Sequence, residues 1–278
     1  MHTRIARHGD AQTFLRHARP WLMLTEVENS LVLSLAERAA AGTDTIYVAT
    51  IEQNGAVVGC ALRTPPRKLV LTRMPPSAVP ALVVDVAACF DALPAVLGPP
   101  SAAQEFARLW CERRGCIQRN GMAQRLYKAE CVRPPSPGPA GTLRLATDAD
   151  IGLVASWVAC FATEARVDAP GTRAQVAERI AAGEMALWHD EHPRTLAGFS
   201  GRSPSGVRIG YVYTPPEWRG HGYASACVAA LSQHALDQGA RFCCLYTDLE
   251  NPASNAIYQR IGYEPVCDAI DIEFTAPP

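Results

Sequence analysis

A strand that runs through a glycine-rich corner into a helix is the feature that most constrains this chain. Residues Val207–Tyr213 alternate in the way typical of a β-strand. A Pro-Pro turn follows, and the corner Arg219–Ala224 (RGHGYA) then opens a helix. The first N–H groups of a helix have no internal partner and carry about half a positive charge, and glycine lets an anion approach them closely. The segment therefore predicts a cradle for a diphosphate.

The same corner excludes two familiar nucleotide-binding loops. A dinucleotide fingerprint needs a Gly-x-Gly turn directly after the strand, and a P-loop needs Gly-Lys-Ser/Thr; the corner has neither. Nucleotide hydrolysis is therefore not expected. For the two glycines taken alone, an ordinary strand-to-helix turn is an equally good interpretation.

Two motifs in the right order resemble the GNAT superfamily of acetyltransferases. The pattern Arg219-x-x-Gly222-x-Ala224 resembles the Q/R-x-x-G-x-G/A loop that holds the pyrophosphate of coenzyme A in that family. The stretch Phe242–Tyr263 resembles the family's strand, Asn-capped helix and Tyr-x-x-x-Gly-Phe/Tyr ending. The likeness covers about residues 195–275 and extends weakly to residue 142. It implies an α+β fold with a mixed, mostly antiparallel central sheet flanked by helices, and acetyl-CoA as co-substrate.

Composition excludes several partners. The chain has 278 residues and a formal net charge of −1, so we expect no nucleic-acid partner and no membrane. The most apolar run, residues 78–90, is too short to span a bilayer, and the first residues lack a secretory core. The ten cysteines show no zinc-site spacing, which favours reduced thiols, a cytoplasmic location and no metal. Oligomeric state is left open, with a homodimer as one option.

A Pro/Gly-rich stretch divides the chain into two domains. Residues 134–141 contain the linker composition, with prolines and glycines that can continue neither a helix nor a central strand. We predict one domain over 1–133 and a catalytic GNAT domain over 142–278. In the second domain we expect a short strand from Leu143, helices over 151–161 and 174–182, and a strand pair over 185–200. The order then continues with the motif strand, a helix to residue 238, a strand and the Asn-capped helix.

The first domain repeats a similar rhythm. We predict helices over 11–17, 28–40, 79–90 and 102–113, and a hairpin of strands 45–51 and 56–62 around Asn54-Gly55. A short strand over 69–72 and a final strand pair over 117–120 and 122–131 complete the order. The pattern indicates a degenerate, GNAT-like copy. Met74-Pro75-Pro76 stands where the glycine corner would be, and proline offers no N–H to a pyrophosphate, so we expect no coenzyme there.

The resemblance assigns the candidate coenzyme site residue by residue. Backbone groups at the end of the motif strand would pair with the pantetheine arm as an added strand does. The corner would hold the pyrophosphate, and an Asn, Asn and Tyr row at helical spacing would follow the arm to the sulfur. The residues are Val212, Tyr213, Thr214, Arg219, Gly220, His221, Gly222, Tyr223, Ala224, Asn251, Asn255 and Tyr258. Plain packing of Tyr213, and a cap-only role for Asn251, are the alternatives.

Tyr258 corresponds to the family's general acid. Tyrosine has a pKa of about 10 and a thiol about 8.5, so full proton transfer to the leaving thiolate is uphill by roughly 2 kcal/mol. We therefore expect Tyr258 to donate a hydrogen bond to the developing thiolate; a packing role is the alternative.

The acceptor amine needs a base, because holding a lysine-like amine neutral at pH 7 costs roughly 4–5 kcal/mol. Many relatives carry a carboxylate on the motif strand, and this chain has none there. Glu164 and Asp248 are the candidates, and a water relayed to a backbone carbonyl is an equal alternative. His221 lies inside the corner and is interpreted as a solvent-facing loop residue.

The sequence predicts an acetyl-CoA-dependent N-acetyltransferase in which a primary amine of a small molecule attacks the thioester directly. A non-catalytic acyl-CoA-binding sensor and a protein N-terminal or lysine acetyltransferase are the alternatives. Glu26 and Glu28 could attract a cationic amine, although a solvated helix start explains them as well.

Overall fold

The computed structural model describes residues 2–42, 46–167, 169 and 172–277, and these form an α+β fold in two compact units. Unit 1 contains residues 1–126, 247–250 and 266–278, and unit 2 contains residues 127–246 and 251–265. The predicted fold class, a mixed and mostly antiparallel sheet flanked by helices, is confirmed. No helix in the described ranges has the length and apolarity to cross a membrane.

The first half of the chain runs strand, two helices, three strands, helix, strand, helix, strand. Its elements are β1 Thr3–His8, α1 Ala11–Leu22, α2 Glu26–Ala41, β2 Tyr47–Gln53, β3 Ala56–Arg63, β4 Leu69–Leu71, α3 Val79–Cys89, β5 Ala95–Gly98, α4 Pro100–Arg114 and β6 Ile117–Ala129. The β2–β3 turn has positive φ at both Asn54 (51°) and Gly55 (80°), as a type I′ hairpin requires.

The second half repeats that order. Its elements are β7 Thr142–Leu145, α5 Ile151–Ala165, α6 Arg173–Ala181, β8 Met185–Asp190, β9 His192–Arg202, β10 Gly206–Tyr213, α7 Tyr223–Asp237, β11 Phe242–Asp248, α8 Pro252–Arg260 and β12 Glu264–Thr275. The internal repeat inferred from the sequence rhythm is therefore visible in the order of the elements.

The last strand of the chain completes the sheet of unit 1. The strands of that unit lie in the order β1-β2-β3-β4-β5-β12-β6, and β12 pairs antiparallel with β5. Ile272 of β12 is 1% exposed and lies in the same apolar cluster as Leu82 and Phe106. The sequence division placed this segment in the second domain, whereas its contacts assign residues 266–278 to unit 1.

The predicted strand pair at the end of the first half is wrong, because β6 runs unbroken through Gly121. A Cβ atom at that position would lie only 3.1 Å from the backbone oxygen of Asp271. Gly121 therefore allows a close backbone approach within the sheet, one of the roles of glycine inside a strand. The sequence reading also omitted β1, β5 and β12.

Unit 2 has a sheet with helices on both faces. Its strands lie in the order β11-β10-β9-β8-β7, with β10 and β11 parallel and the other neighbours antiparallel. One face packs against α7 through residues such as Phe199 and Leu231. The other packs against α5 and α6 through residues such as Leu187 and Val158. The two layers hold the end of β10 and the start of α7 in fixed positions.

Candidate active site

The parallel strands β10 and β11 separate toward the site. Their register pairs Gly206 with Phe242, Val207 with Cys243 and Arg208 with Cys244, and in the described residues the pairing ends there while both strands continue. The backbone of β10 from Ile209 onward is therefore not paired with β11. Such an open edge can accept an extended ligand as an added strand, which is the geometry expected for a pantetheine arm.

A bulge shapes the same part of β10. The register with β9 shifts between Gly210 and Tyr213, and Tyr211 has φ of +55°, an uncommon value for a bulky residue. Arg179 holds the conformation, because its Nη2 donates to the Tyr211 hydroxyl at 3.0 Å and its guanidinium lies 5.0 Å from the ring centroid. The Phe161 ring meets Tyr211 edge-on at 6.0 Å. Nothing in the sequence marked this bulge.

The glycine corner presents free backbone donors. Gly220 and Gly222 have φ of +80° and +82°, and Gly222 is the N-cap of α7. In the described part of the chain, the first N–H after Arg219 that meets a backbone carbonyl is that of Ala226, which donates to Gly222 at 3.1 Å. A Cβ at Gly220 would meet nothing within 4 Å, so the space in front of the corner is open. The N–H groups of residues 220–225 therefore fit a diphosphate.

The Arg219 side chain folds back onto the protein. Its Nε donates to the Thr214 carbonyl at 2.9 Å, and its Nη2 donates to both Glu164 oxygens at 2.8 and 2.9 Å. Both side chains are about half exposed, at 47% and 50%. The arginine thus ties the corner to the end of β10 and to α5, and the corner offers an anion its backbone. Glu164, a candidate base, lies at the corner in this ion pair.

A second set of contacts, which the sequence did not reveal, supports the corner from β8 and β9. The Tyr223 hydroxyl, at the start of α7, donates to Asp190 Oδ2 at 3.0 Å. The buried Arg194 guanidinium lies 3.7 Å from the Trp218 ring centroid and 3.9 Å from the same carboxylate. These residues are far apart in sequence, so no local pattern could have identified them.

Helix α8 brings the predicted asparagines together. The Asn251 side chain caps the helix by accepting the Ser254 N–H at 3.0 Å. The Asn255 amide donates to the Asn251 carbonyl at 2.8 Å, and its oxygen accepts the Tyr127 hydroxyl at 3.0 Å. Tyr127 is 1% exposed and was not predicted. The asparagine side chains therefore take part in hydrogen bonds that orient α8.

Tyr258 differs from the other buried tyrosines of unit 2 in having an unused hydroxyl. Among the described residues its oxygen has no hydrogen-bond partner, and its ring packs edge-on against Tyr263 at 6.1 Å. Burial raises the pKa of Tyr258 to about 12. The group is therefore a neutral donor throughout the physiological range, free to bind a ligand atom.

The remaining predicted residues lie as follows. Asp248 belongs to unit 1, and its Oδ1 accepts the Glu250 N–H at 2.8 Å, a turn that ends β11. His221 is exposed, and its Nδ1 lies 2.8 Å from the Arg219 carbonyl, so that nitrogen carries the proton. Tyr213 is buried beside Trp157, and burial followed by the Cys160 thiol raises its pKa. The described residues contain no cluster of three or more metal-ligating side chains.

Comparison with known proteins identifies the repeat unit that carries this site. Residues 142–264 match the family described as the acetyltransferase (GNAT) domain. A mycothiol acetyltransferase of Paenarthrobacter aurescens (strain TC1) is 34% identical over 76 residues, which are 27% of this chain and 22% of that protein. The alignment thus spans less than a quarter of that relative.

Solved structures resemble the whole chain. A GCN5-related N-acetyltransferase from Sphaerobacter thermophilus has a TM-score of 0.62 and 17% identity, covering 99% of this chain and 96% of that one. A GNAT-family acetyltransferase from Colwellia psychrerythraea scores 0.58 at 12% identity, covering 98% and 100%. A tandem GNAT protein from the clavulanic acid biosynthesis pathway scores 0.55 at 12% identity, covering 100% of both. At these identities the likeness establishes the fold, which spans both halves.

Proposed function

We propose that this chain, whose residues 142–264 belong to the GNAT acetyltransferase family, is an acetyl-CoA-dependent N-acetyltransferase that acts on a primary amine of a small molecule. The observation that carries the proposal is the pairing of an open β10 edge with free N–H groups at the start of α7. An extended arm that ends in a diphosphate matches that pair of features. The near-neutral chain charge and the similarity to a protein named mycothiol acetyltransferase support a small-molecule acceptor.

In this proposal the corner binds the pyrophosphate of acetyl-CoA through the N–H groups of residues 220–225, and the helix dipole of α7 adds a favourable field. The pantetheine arm pairs with the free backbone of β10 near Val212–Thr214. A backbone N–H of the same segment stabilises the negative charge that develops on the thioester oxygen. Positioning and charge stabilisation supply most of the rate enhancement.

Tyr258 handles the leaving group. A hydroxyl with a pKa of about 12 and a thiol near 8.5 make full proton transfer uphill by about 5 kcal/mol. Tyr258 therefore donates a hydrogen bond to the departing sulfur and keeps its proton, and the proton released by the amine completes the thiol. The base that deprotonates the amine is assigned to water relayed to a backbone carbonyl, because Glu164 is engaged by Arg219 and Asp248 lies in unit 1.

Binding of acetyl-CoA and CoA, measured by calorimetry, tests the corner. The isosteric variants Gly222→Asn and Gly222→Asp both tolerate positive φ better than most residues, so the added charge is the main difference between them. We expect the Asp variant to bind at least 10-fold more weakly than the Asn variant. Gly239→Asp, at φ of +97° beyond the other end of α7, is the control and leaves affinity unchanged. Equal affinity of the two Gly222 variants would refute the cradle.

Thiol release from acetyl-CoA against a panel of small primary amines tests turnover. Release that depends on the amine supports the enzyme. Binding of acetyl-CoA without release for any small amine or peptide N-terminus would instead support the sensor. Release with peptides only would move the acceptor class to proteins.

A further inference from the structure

Unit 1 contains a cleft at the carboxyl end of β4, the place in the repeated order that corresponds to the end of β10. The cleft has a volume of about 460 Å³, within the usual range for small-molecule sites. Its walls come from α1, the start of α2, β3 and the segment after β4. The residues lining it are Trp21, Leu24, Thr25, Glu28, Asn29, Val58, Arg73, Met74 and Pro75.

The cleft does not fit a phosphate. Pro75 and Pro76 occupy the turn after β4, and Pro80 lies in the first turn of α3, so these positions provide no N–H donors. The segment is also tightly held against β3, since a Cβ at Gly59 would lie 2.7 Å from Met74 Cβ. The coenzyme chemistry of unit 2 is therefore not repeated here.

An apolar ligand would cover side chains that water now contacts. Leu24 is 77% exposed at the rim, and Trp21 and Val58 are half-buried walls. Covering such apolar surface is favourable by roughly 25 cal/mol for each Å². The body of the ligand is therefore apolar.

A single ion pair sets the charge that the ligand carries. Arg73 Nη2 lies 3.0 Å from Glu28 Oε2, but the arginine side chain is 70% exposed and the glutamate only 24%. The arginine can turn into solvent at little cost, because an exposed ion pair contributes at most about 1 kcal/mol. Glu28, fixed on α2 and partly shielded from water, stays in the cleft and attracts a replacement cation more strongly than an exposed group would.

We propose that this cleft binds a small organic ammonium ion with an apolar body, whose ammonium group takes the place of Arg73 on Glu28. The site lies wholly within unit 1 and does not depend on acetyl transfer, so its test needs no acetyl-CoA.

The test is titration of the full-length chain with phenethylamine, followed by calorimetry and by the Trp21 indole NMR signal, which a Trp21→Phe spectrum assigns. We expect saturable binding that shifts this signal, at least 10-fold weaker binding of the neutral isostere 2-phenylethanol, and at least 10-fold weaker amine binding in Glu28→Gln. Arg73→Ala, which removes the competing cation, tightens amine binding about 2- to 5-fold. Glu26→Gln, in the same turn of α2, is the matched control and binds as wild type does.

Three results would overturn the proposal: no saturable shift of the Trp21 signal, equal affinity of Glu28→Gln and wild type, or equal affinity for the alcohol and the amine. Amine binding at an acceptor site in unit 2 would leave both the Trp21 signal and the Glu28 dependence unaffected. The outcome is therefore separable from the fate of the proposed acetyltransferase activity.

Discussion

Replacing Tyr258 with Phe removes only a hydroxyl whose single expected role is to meet the leaving sulfur. In the described residues that oxygen bonds to nothing, so the variant should fold with an unchanged melting temperature. A hydrogen bond to a charged group contributes about 1.5–3 kcal/mol, which corresponds to a fall in kcat of about 10- to 150-fold. The KM for acetyl-CoA should change little, because the interaction develops only as the thiolate forms.

The neighbouring Tyr263 provides the matched control. Its ring packs against that of Tyr258, and its hydroxyl lies 2.6 Å from Ser232 Oγ in the core. Tyr263→Phe should lower stability by about 1–2 kcal/mol while kcat stays within about 2-fold of wild type. The two variants thus reverse the two readouts.

Steady-state kinetics with the best amine of the panel, together with thermal unfolding, measure both effects. The pH profile adds a check: because burial raises the pKa of Tyr258 to about 12, its loss should not remove any ionisation seen between pH 6 and 10. The reasoning fails if Tyr258→Phe keeps wild-type kcat, or if the variant loses stability as Tyr263→Phe does.

Three further variants test other parts of the structure. Glu164→Gln should raise the KM for acetyl-CoA no more than about 5-fold and leave kcat unchanged, because it breaks a half-exposed ion pair with Arg219; a kcat loss of 100-fold or more would restore it as the base. Ile272→Ala, in the β12 core of unit 1, should cost about 2–5 kcal/mol in chemical unfolding, and a cost under 1 kcal/mol would contradict the placement of β12. Asp150→Asn should cost about 1–3 kcal/mol, discounted because its partner Arg144 is 35% exposed. Arg144 lowers the pKa of Asp150 below its usual value near 4, so this contribution is complete above about pH 4 and is lost as the pH falls; unfolding curves at pH 7 and pH 3 should therefore differ less in the variant.

Local sequence patterns were sufficient for the features that depend on neighbouring residues. The glycine corner, the Asn251 cap and the Asn54-Gly55 turn each follow from backbone preferences within a few positions, and the structure shows each of them. Most helices begin and end within a few residues of their predicted bounds. The helical repeat also placed Asn251 and Asn255 one turn apart, where the Asn255 amide reaches the Asn251 carbonyl.

Features that join distant residues required the tertiary structure. The bulge at Tyr211 is held by Arg179 from α6, and the ion pair of Arg219 with Glu164 joins positions 55 residues apart. Strand β12 completes the sheet of unit 1 from the opposite end of the chain, and Gly121 serves it as a close-approach position instead of a turn. Such pairings depend on which surfaces meet after folding, and a strand pattern carries no information about its partner.

The sequence by itself therefore determined the chemistry offered along the chain: an N–H-rich corner, a tyrosine at helical spacing from two asparagines, and a proline-blocked copy of the corner. Only the tertiary structure decided which of these groups remain available, because burial and side-chain contacts occupy some and leave others free. Arg219 and Asn255 are engaged within the protein, whereas the N–H groups of residues 220–225 and the Tyr258 hydroxyl face no partner in the part of the chain described.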